Sequence, residues 1–377
     1  MPFDRPQEQV PLAPLTTLGL GGHARWFARA TRVEHVLAAH GWGPAHGLPL
    51  FVLGGGSNLV VSDDGFDGLV LQVAITGIKA ALRGEDMLVS AGAGEAWDGL
   101  VEFAVTRGLA GIECLSGIPG TVGGTPIQNV GAYGQEVASV IEWVDTVDRV
   151  KQGTVRLSRS DCGFAYRTSR FKQQDAGRFI VCEVAFRLRP GASPTVTYPD
   201  IIDYLSKHSN GSPDVRAVRE AVLNVRRRKG MVIDAADPDT RSVGSFFMNP
   251  VVDRGTFDRI VADFASGADS SASAEASADK SGPRIPHYLM ENDTVKIPAA
   301  WLIEQSGFAR GHLDGRVGLS TKHPLAIVNR GGATARDVIR LARSIKRAVI
   351  DRFGVALRPE PVFVGFDDDP DVQYLRG

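Results

Sequence analysis

Between Gly111 and Glu136 the chain reads GIECLSGIPGTVGGTPIQNVGAYGQE, with glycine at 111, 117, 120, 123, 124, 131 and 134. Each would cost a helix or strand interior roughly 0.5–1 kcal/mol against alanine, so the run predicts irregular backbone. The polar residues among them, Ser116, Thr121, Thr125, Gln128 and Asn129, are small or neutral. Amide N–H groups, hydroxyls and side-chain amides are therefore the donors on offer, a set suited to a phosphate or a heteroaromatic ring edge. A long surface loop would carry many of the same residues. A second cluster, Gly54-Gly55-Gly56-Ser57-Asn58, follows the apolar run Leu50–Leu53. A dinucleotide fingerprint would need a helix next, its N-terminus facing the pyrophosphate. Leu59–Val61 and Gly68–Val73 instead read as strands, separated by the turn Asp63-Asp64-Gly65. The cluster is expected to be a strand-to-strand nest of N–H groups, which binds anions without a helix dipole; an ordinary hairpin turn is the other reading.

Four further places could meet a substrate. Arg167, in Phe164-Ala-Tyr-Arg-Thr-Ser-Arg-Phe171, could clamp a carboxylate with paired N–H donors, although a surface arginine lying over Tyr166 explains the same pattern. Glu360 sits between Pro359 and Pro361, which restrict its backbone before any tertiary contact forms. Rigid placement is what a catalytic carboxylate needs, but an exposed edge-strand glutamate fits equally. In Gly244-Ser-Phe-Phe-Met-Asn-Pro250 two consecutive phenylalanines are bracketed by small polar residues, including Ser245 and Asn249; a buried strand end is the alternative. Arg226-Arg227-Arg228-Lys229 closes the apolar stripe Val215, Val218, Val222, Val225, where cations complement a helix dipole and could equally meet a phosphate.

These residues need a scaffold. Thr31 and Glu34 fit a capping box for a helix stopped at Gly41, and a second helical pattern runs from Glu95 to Gly108. Val140–Val147, Gly153–Leu157 and Phe179–Leu188 are β-like. Pro298 and Gly307 bracket the short helix AAWLIEQS, with Trp301 and Gln305 on one face. Thr334 and Asp337 open the last helix, which Gly354 closes. Ala265–Gly282 is low-complexity, lacks apolar periodicity and is expected to be a mobile insertion. With 377 residues the chain exceeds the usual reach of one core. The expected divisions are 1–73, 74–205, 212–352 and 353–377. A formal net charge of −1 with scattered basic residues argues against a nucleic-acid protein. No apolar run of about 18 residues suggests a membrane span, and the start lacks a signal-peptide core, so a soluble, cytoplasmic protein is expected. Cys114, Cys162 and Cys182 lack metal-type spacing and are odd in number, so neither a metal site nor a disulfide framework is expected.

Taken in order, Leu18-Gly-Leu-Gly-Gly22, Leu53–Asn58, Ile118–Gly124, Gln128–Gly134, Tyr166-Arg167, Gly244–Pro250, Trp301–Gln305 and Pro359-Glu360 resemble the UDP-N-acetylenolpyruvoylglucosamine reductase family. The resemblance spans most of the chain. It implies an α+β fold: a two-subdomain vanillyl-alcohol-oxidase-like FAD-binding domain and a smaller α+β substrate-binding domain. It makes both glycine loops cradles for one non-covalent FAD, through Gly54, Gly55, Gly56, Ser57, Asn58, Ser116, Gly117, Ile118, Pro119, Gly120, Thr121, Gly123, Gly124, Gln128, Gly131, Ala132 and Tyr133. NADPH is the implied hydride donor and a UDP-sugar enolpyruvyl ether the substrate, with a monomer as the simplest expectation.

Residue by residue, the resemblance makes Ser245 the proton donor and Arg167 with Glu360 the electrophilic pair. It gives Tyr166, Tyr198, Lys229, Asn249 and Gln305 to the UDP-sugar, with Tyr198 in a Thr-Tyr-Pro setting like the family's type with a substrate-capping tyrosine loop. Glu360 would have to share a proton, so a raised pKa caused by desolvation is expected. Met248 stands where many members carry lysine. Two other readings remain open: a flavin oxidase of the same fold, with Cys114 as the attachment residue available in the long glycine stretch, and a non-catalytic UDP-sugar-binding regulator.

Overall fold

The structure is a computed structural model and describes residues 5–209, 211–267, 285–290 and 292–377. The N-terminal region opens with strands β1 (Gln7–Pro11) and β2 (His23–Ala30), helix α1 (Val33–Ala45), and strands β3 (Leu50–Leu53), β4 (Leu59–Val61) and β5 (Phe66–Val73). β1, β2, β5 and β3 form one sheet in that order, with β2–β5 and β3–β5 parallel. β3 and β4 do not pair with each other, which removes the hairpin reading of the Gly54–Asn58 turn. β4 instead pairs in parallel with Val362–Val364 from the far end of the chain.

Two expectations about α1 are corrected. Its N-cap is Arg32, with no side-chain cap, and it runs through Gly41 to Ala45. The side chain of Thr31 is turned toward His35 Nδ1, 3.4 Å from its hydroxyl. Val36, Ala39, His40 and Gly43 are buried, so packing of that face overrides the weak helical propensity of the glycines.

Strands β6 (Ile78–Arg83) and β7 (Asp86–Gly92) join Ile141–Asp148, Gly153–Ser158 and Phe179–Pro190 in a second, antiparallel sheet. Helix α2 (Trp97–Thr106) buries Trp97, Leu100, Val101, Ala104 and Val105 in the core shared with that sheet. Trp97 Nε1 donates to the Leu115 carbonyl at 3.0 Å, anchoring the start of the glycine-rich stretch.

Helices α3 (Pro199–His208) and α4 (Val215–Arg228) pack on each other around Ile201, Val218 and Val222. α3 was not visible in the sequence pattern. Asp214 caps α4 through the N–H groups of Arg216 and Ala217. The remaining helices are α5 (Arg254–Gly267), α6 (Ala299–Gln305), α7 (Ala335–Phe353) and α8 (Pro370–Arg376). The backbone of 265–267 is helical, and residues 268–282 of the low-complexity segment lie outside the described residues. α7 has the expected capping box of Thr334 and Asp337 and ends at left-handed Gly354. A second core gathers Phe246, Phe247, Leu302, Val338 and Ile345 with Leu18, Leu20 and Val60 from the N-terminal region. The N- and C-terminal halves are thus joined by shared apolar packing as well as by a strand pair. Among the described residues no helix is long and apolar enough to cross a membrane.

Candidate active site

The two glycine loops interlock. A Cβ on Gly55 would lie 2.7 Å from Gly120 Cα, and one on Gly120 (φ +115°) 2.7 Å from Ser57 Oγ. Ser57 Oγ donates to the Pro119 carbonyl at 3.2 Å. Gly123 presses on Ala93, and Gly56 (φ +64°) on the Leu15 carbonyl. Glycine at these positions is demanded by protein packing. Gly124 differs: it is exposed, has no positive φ, and a Cβ there would meet nothing within 4 Å. Asn58 Nδ2 donates to Gln128 Oε1 at 2.8 Å and to the Glu360 carbonyl at 3.2 Å, so both amides tie loops together. The Ser116 hydroxyl is buried and donates to the Glu113 carbonyl at 2.6 Å, while the Gly117 N–H donates to Asp98 Oδ1 at 2.6 Å. Both donors are thus satisfied within the protein. The amide N–H groups of Gly55, Gly56 and Ser57 have no protein acceptor among the described residues, and the buried Thr121 Oγ1 lacks a partner beside Gly54. Orphaned donors on facing loops, with Ile118 and Pro119 half-exposed between them, fit a diphosphate.

Arg167 occupies the second central position of a tight turn closed by Ala165 and Thr168, which exchange backbone hydrogen bonds of 3.0 and 3.1 Å. Its φ is +54°, a left-handed conformation that costs a non-glycine residue roughly 1–3 kcal/mol and persists only where surroundings enforce it. Arg167 Nε lies 3.5 Å from Glu360 Oε1, with side-chain exposures of 24% and 15%. The surface-arginine reading is therefore replaced by a partly buried pair, although the guanidinium does also lie over Tyr166 at 5.8 Å.

Glu360 owes its place to backbone pairing. Its N–H donates to the Phe246 carbonyl at 2.8 Å, Met248 N–H donates to the Arg358 carbonyl at 3.0 Å, and Phe247 bridges Pro359. The chain between the two prolines is thus pinned against the segment that carries Ser245, the neighbour of Phe246. The Ser245 hydroxyl is half-buried and has no hydrogen-bond partner among the described residues, leaving it available to a ligand. Burial pushes the Glu360 carboxyl above the usual carboxylate range, while Arg167 and Lys172 oppose that shift. Lys172 was missed in the sequence; its own pKa is lowered, chiefly by burial. No sequence signal marks it, because only the tertiary fold turns it toward Glu360.

Tyr198, at the N-terminus of α3, meets Tyr133 of the glycine stretch edge-on at 5.0 Å. Lys229 Nζ lies 5.7 Å from the Tyr198 ring centre and 2.8 Å from Asp200 Oδ2. These residues do come together. Tyr166 is exposed, with Lys296 Nζ 5.1 Å from its ring. Asn249 Oδ1 accepts from Ala299 N–H at 2.9 Å and so caps α6, leaving its Nδ2 to meet a ligand. Gln305 lies half-buried at the end of α6, and no hydrogen bond joins it to the other candidates. Beyond Lys229 stands His323, another residue sequence reasoning passed over. Burial, helped by Lys229, Arg310 and Arg226, holds it down to a pKa of about 4. Cys114 is fully buried, and desolvation with Glu113 pushes its thiol up to about 12. An inaccessible protonated thiol is a poor attachment point for a flavin.

Residues 24–158 match the family description "FAD binding domain", and residues 237–364 match "UDP-N-acetylenolpyruvoylglucosamine reductase, C-terminal domain". The UDP-N-acetylenolpyruvoylglucosamine reductase of Thermobifida fusca is 45% identical over 360 residues, covering 94% of this chain and 97% of that protein. The chain belongs to the UDP-N-acetylenolpyruvoylglucosamine reductase family. The Mycobacterium tuberculosis reductase is 46% identical over 370 residues, with 95% of each chain covered. The crystal structure of the Thermus caldophilus UDP-N-acetylenolpyruvylglucosamine reductase superposes with a TM-score of 0.62 at 25% identity, covering 95% of this chain and 99% of that one. The family's α+β architecture, a two-subdomain vanillyl-alcohol-oxidase-like FAD-binding domain followed by a smaller α+β domain, is the architecture of this chain. In this reductase family member the FAD-binding match covers both glycine loops. The C-terminal match covers Ser245, Asn249, Gln305 and Glu360, whereas Arg167 falls between the two.

Proposed function

We propose that this chain uses NADPH and FAD to reduce the enolpyruvyl group of UDP-N-acetylglucosamine enolpyruvate to the lactyl ether of UDP-N-acetylmuramate, a peptidoglycan precursor. The observation that carries this reading is the half-buried Arg167–Glu360 pair, 3.5 Å apart and backbone-linked to the Ser245 segment. A bound FAD would supply the hydride chemistry between NADPH and the enolpyruvyl C3. The glycine loops would hold it by their free N–H groups and Thr121, and Gly124 leaves room for close approach.

Hydride arrival at C3 drives negative charge onto C2 and the adjoining carboxylate. Arg167 meets that charge with a planar fork of N–H donors at a site largely closed to water. Glu360, whose carboxyl burial raises above the usual carboxylate range, offers an O–H to the same oxygens in its protonated form. Ser245 then gives its hydroxyl proton to C2; a weak acid suffices when held against a strongly basic carbon. Tyr198 and Lys229 would take the diphosphate, with Tyr166, Asn249 Nδ2 and Gln305 for the rest of the UDP-sugar. The domain divisions at 1–73, 74–205, 212–352 and 353–377 are part of the same proposal.

Ser245→Ala tests the assignment by stopped-flow absorbance of the two half-reactions. Flavin reduction by NADPH should keep its wild-type rate, while reoxidation by the enolpyruvyl substrate slows about 10²–10⁴-fold. Equal slowing of both steps, or of neither, would sink it.

A further inference from the structure

The geometry points to Asn129 as the positioning residue that fixes the Arg167 clamp against the flavin-side glycine loop. Asn129 is 1% exposed, and its side chain is fully engaged. Its Oδ1 accepts from Ala138 N–H at 3.1 Å. Its Nδ2 donates to Glu136 Oε2 at 2.9 Å and to the Ala165 carbonyl at 3.0 Å. Ala165 is one of the two residues that close the Arg167 turn. The other shoulder of that turn is held from the same stretch, where Ser169 Oγ donates to the Ile127 carbonyl at 2.5 Å. Two residues beyond Asn129, a Cβ on Gly131 would stand 2.7 Å from Glu136 Cγ and 3.4 Å from Arg167 Nη1, so the guanidinium lies in contact range of the same stretch.

Arg167 cannot hold this pose by local preference. Its φ of +54° is disfavoured, and its one carboxylate contact among the described residues is the 3.5 Å pairing with Glu360. External ties must supply the order, and residues 127–131 supply them. Asn129 itself has φ +46°, a conformation asparagine reaches more readily than most residues and glycine more readily still. Three requirements meet at one side chain: left-handed backbone, two N–H donors at right spacing, and one acceptor. Aspartate keeps the shape and loses both donors, setting a second carboxylate against Glu136. Glycine keeps the backbone and removes the bridge. The inference rests on the reading of Arg167 as the carboxylate clamp.

The test uses flavin-loaded enzyme carrying Asn129→Gly, Asn129→Asp, Arg167→Lys, or Asn129→Gly with Arg167→Lys, followed through both half-reactions. With a positioning role, each Asn129 variant reduces its flavin with NADPH within about twofold of wild type. Reoxidation by substrate slows about 10–100-fold, the scale of an ångström-sized misplacement. The double variant should be no slower than Arg167→Lys alone, since a displaced clamp and an absent clamp are the same defect. Wild-type reoxidation in both Asn129 variants overturns the inference, as does slowing that multiplies with that of Arg167→Lys. Loss of flavin or equal slowing of both half-reactions in both variants also overturns it, by assigning Asn129 to the cofactor loop alone. If Arg167→Lys itself reoxidises at the wild-type rate, the clamp reading fails first, and that outcome is visible without any Asn129 variant.

Discussion

Glu360 shows how far local chemistry goes at the scale of one residue. Two prolines restrict its backbone, yet they are equally compatible with an exposed strand edge. Burial decides the matter: the carboxyl is raised by desolvation, and the nearby guanidinium only partly offsets this. Because the folded pKa lies above the ordinary value, the protonated form dominates at and below the usual carboxylate range and is lost as pH climbs through the raised pKa. Flavin reoxidation by substrate should therefore decline on the alkaline side of that pKa. Glu360→Gln cannot deprotonate, so single-turnover profiles of the variant should be slower by about 10²–10⁴-fold and lack this limb. Retention of the same limb would assign it to another group.

At the scale of the element, the glycines divide into two physical classes that composition cannot separate. Gly120 serves packing: alanine there would combine a disfavoured φ of +115° with a Cβ 2.7 Å from Ser57 Oγ. Gly120→Ala should destabilise the protein by roughly 1–3 kcal/mol and weaken FAD binding on the order of tenfold or more as the loops part. Gly124 has no such need of its own. Gly124→Ala should leave the unfolding midpoint of the flavin-free protein unchanged while weakening FAD binding, because the added methyl would stand in the proposed cradle. Fluorescence titration with FAD and thermal unfolding of both variants checks this; unchanged FAD affinity in Gly124→Ala would remove Gly124 from the cradle. The same distinction applies to Asn58 and Gln128, whose side chains join the loops to each other and to Glu360.

Over the whole molecule, the site exists because remote segments close on one another. Val362–Val364 returns to pair with β4, Thr17 Oγ1 donates to the Ser242 carbonyl at 2.9 Å, and Arg219 holds Asp98 with two hydrogen bonds of 2.6 and 2.9 Å. Asp98 also accepts from Gly117, so α4 is latched through Asp98 of α2 to the long glycine stretch. Stability should follow from this closure in a pH-dependent way. His323 is depressed to about 4 by burial and by Lys229, Arg310 and Arg226. A group with a lowered basic pKa contributes stability that is full above its ordinary value of 6.5 and lost as pH falls toward 4. Wild type should lose roughly 2 kcal/mol between pH 7 and 5 from this residue, and His323→Asn should lose correspondingly less. Urea unfolding at the two pH values measures it, and an identical slope in both proteins would contradict the assignment.

Much of the function was legible in the chain itself. Glycine spacing, the Pro359–Pro361 bracket, the Phe246-Phe247 segment and the Thr334–Asp337 cap are local patterns whose physical causes lie within a few residues, so the sequence carries them openly. The α1 boundaries were misread because buried packing outweighed local propensity, and α3 was missed for lack of a strong periodic signal. The family and the kind of ligand were determined by ordered motifs in one dimension. Only the tertiary structure decided which glycines are bare for packing and which, like Gly124, have no packing demand of their own. It also turned Lys172 toward Glu360, committed Asn249 to a helix cap, and left Asn129 holding the Arg167 turn. Those outcomes depend on contacts between residues far apart in the chain and on the loss of water between them, neither of which any local pattern encodes.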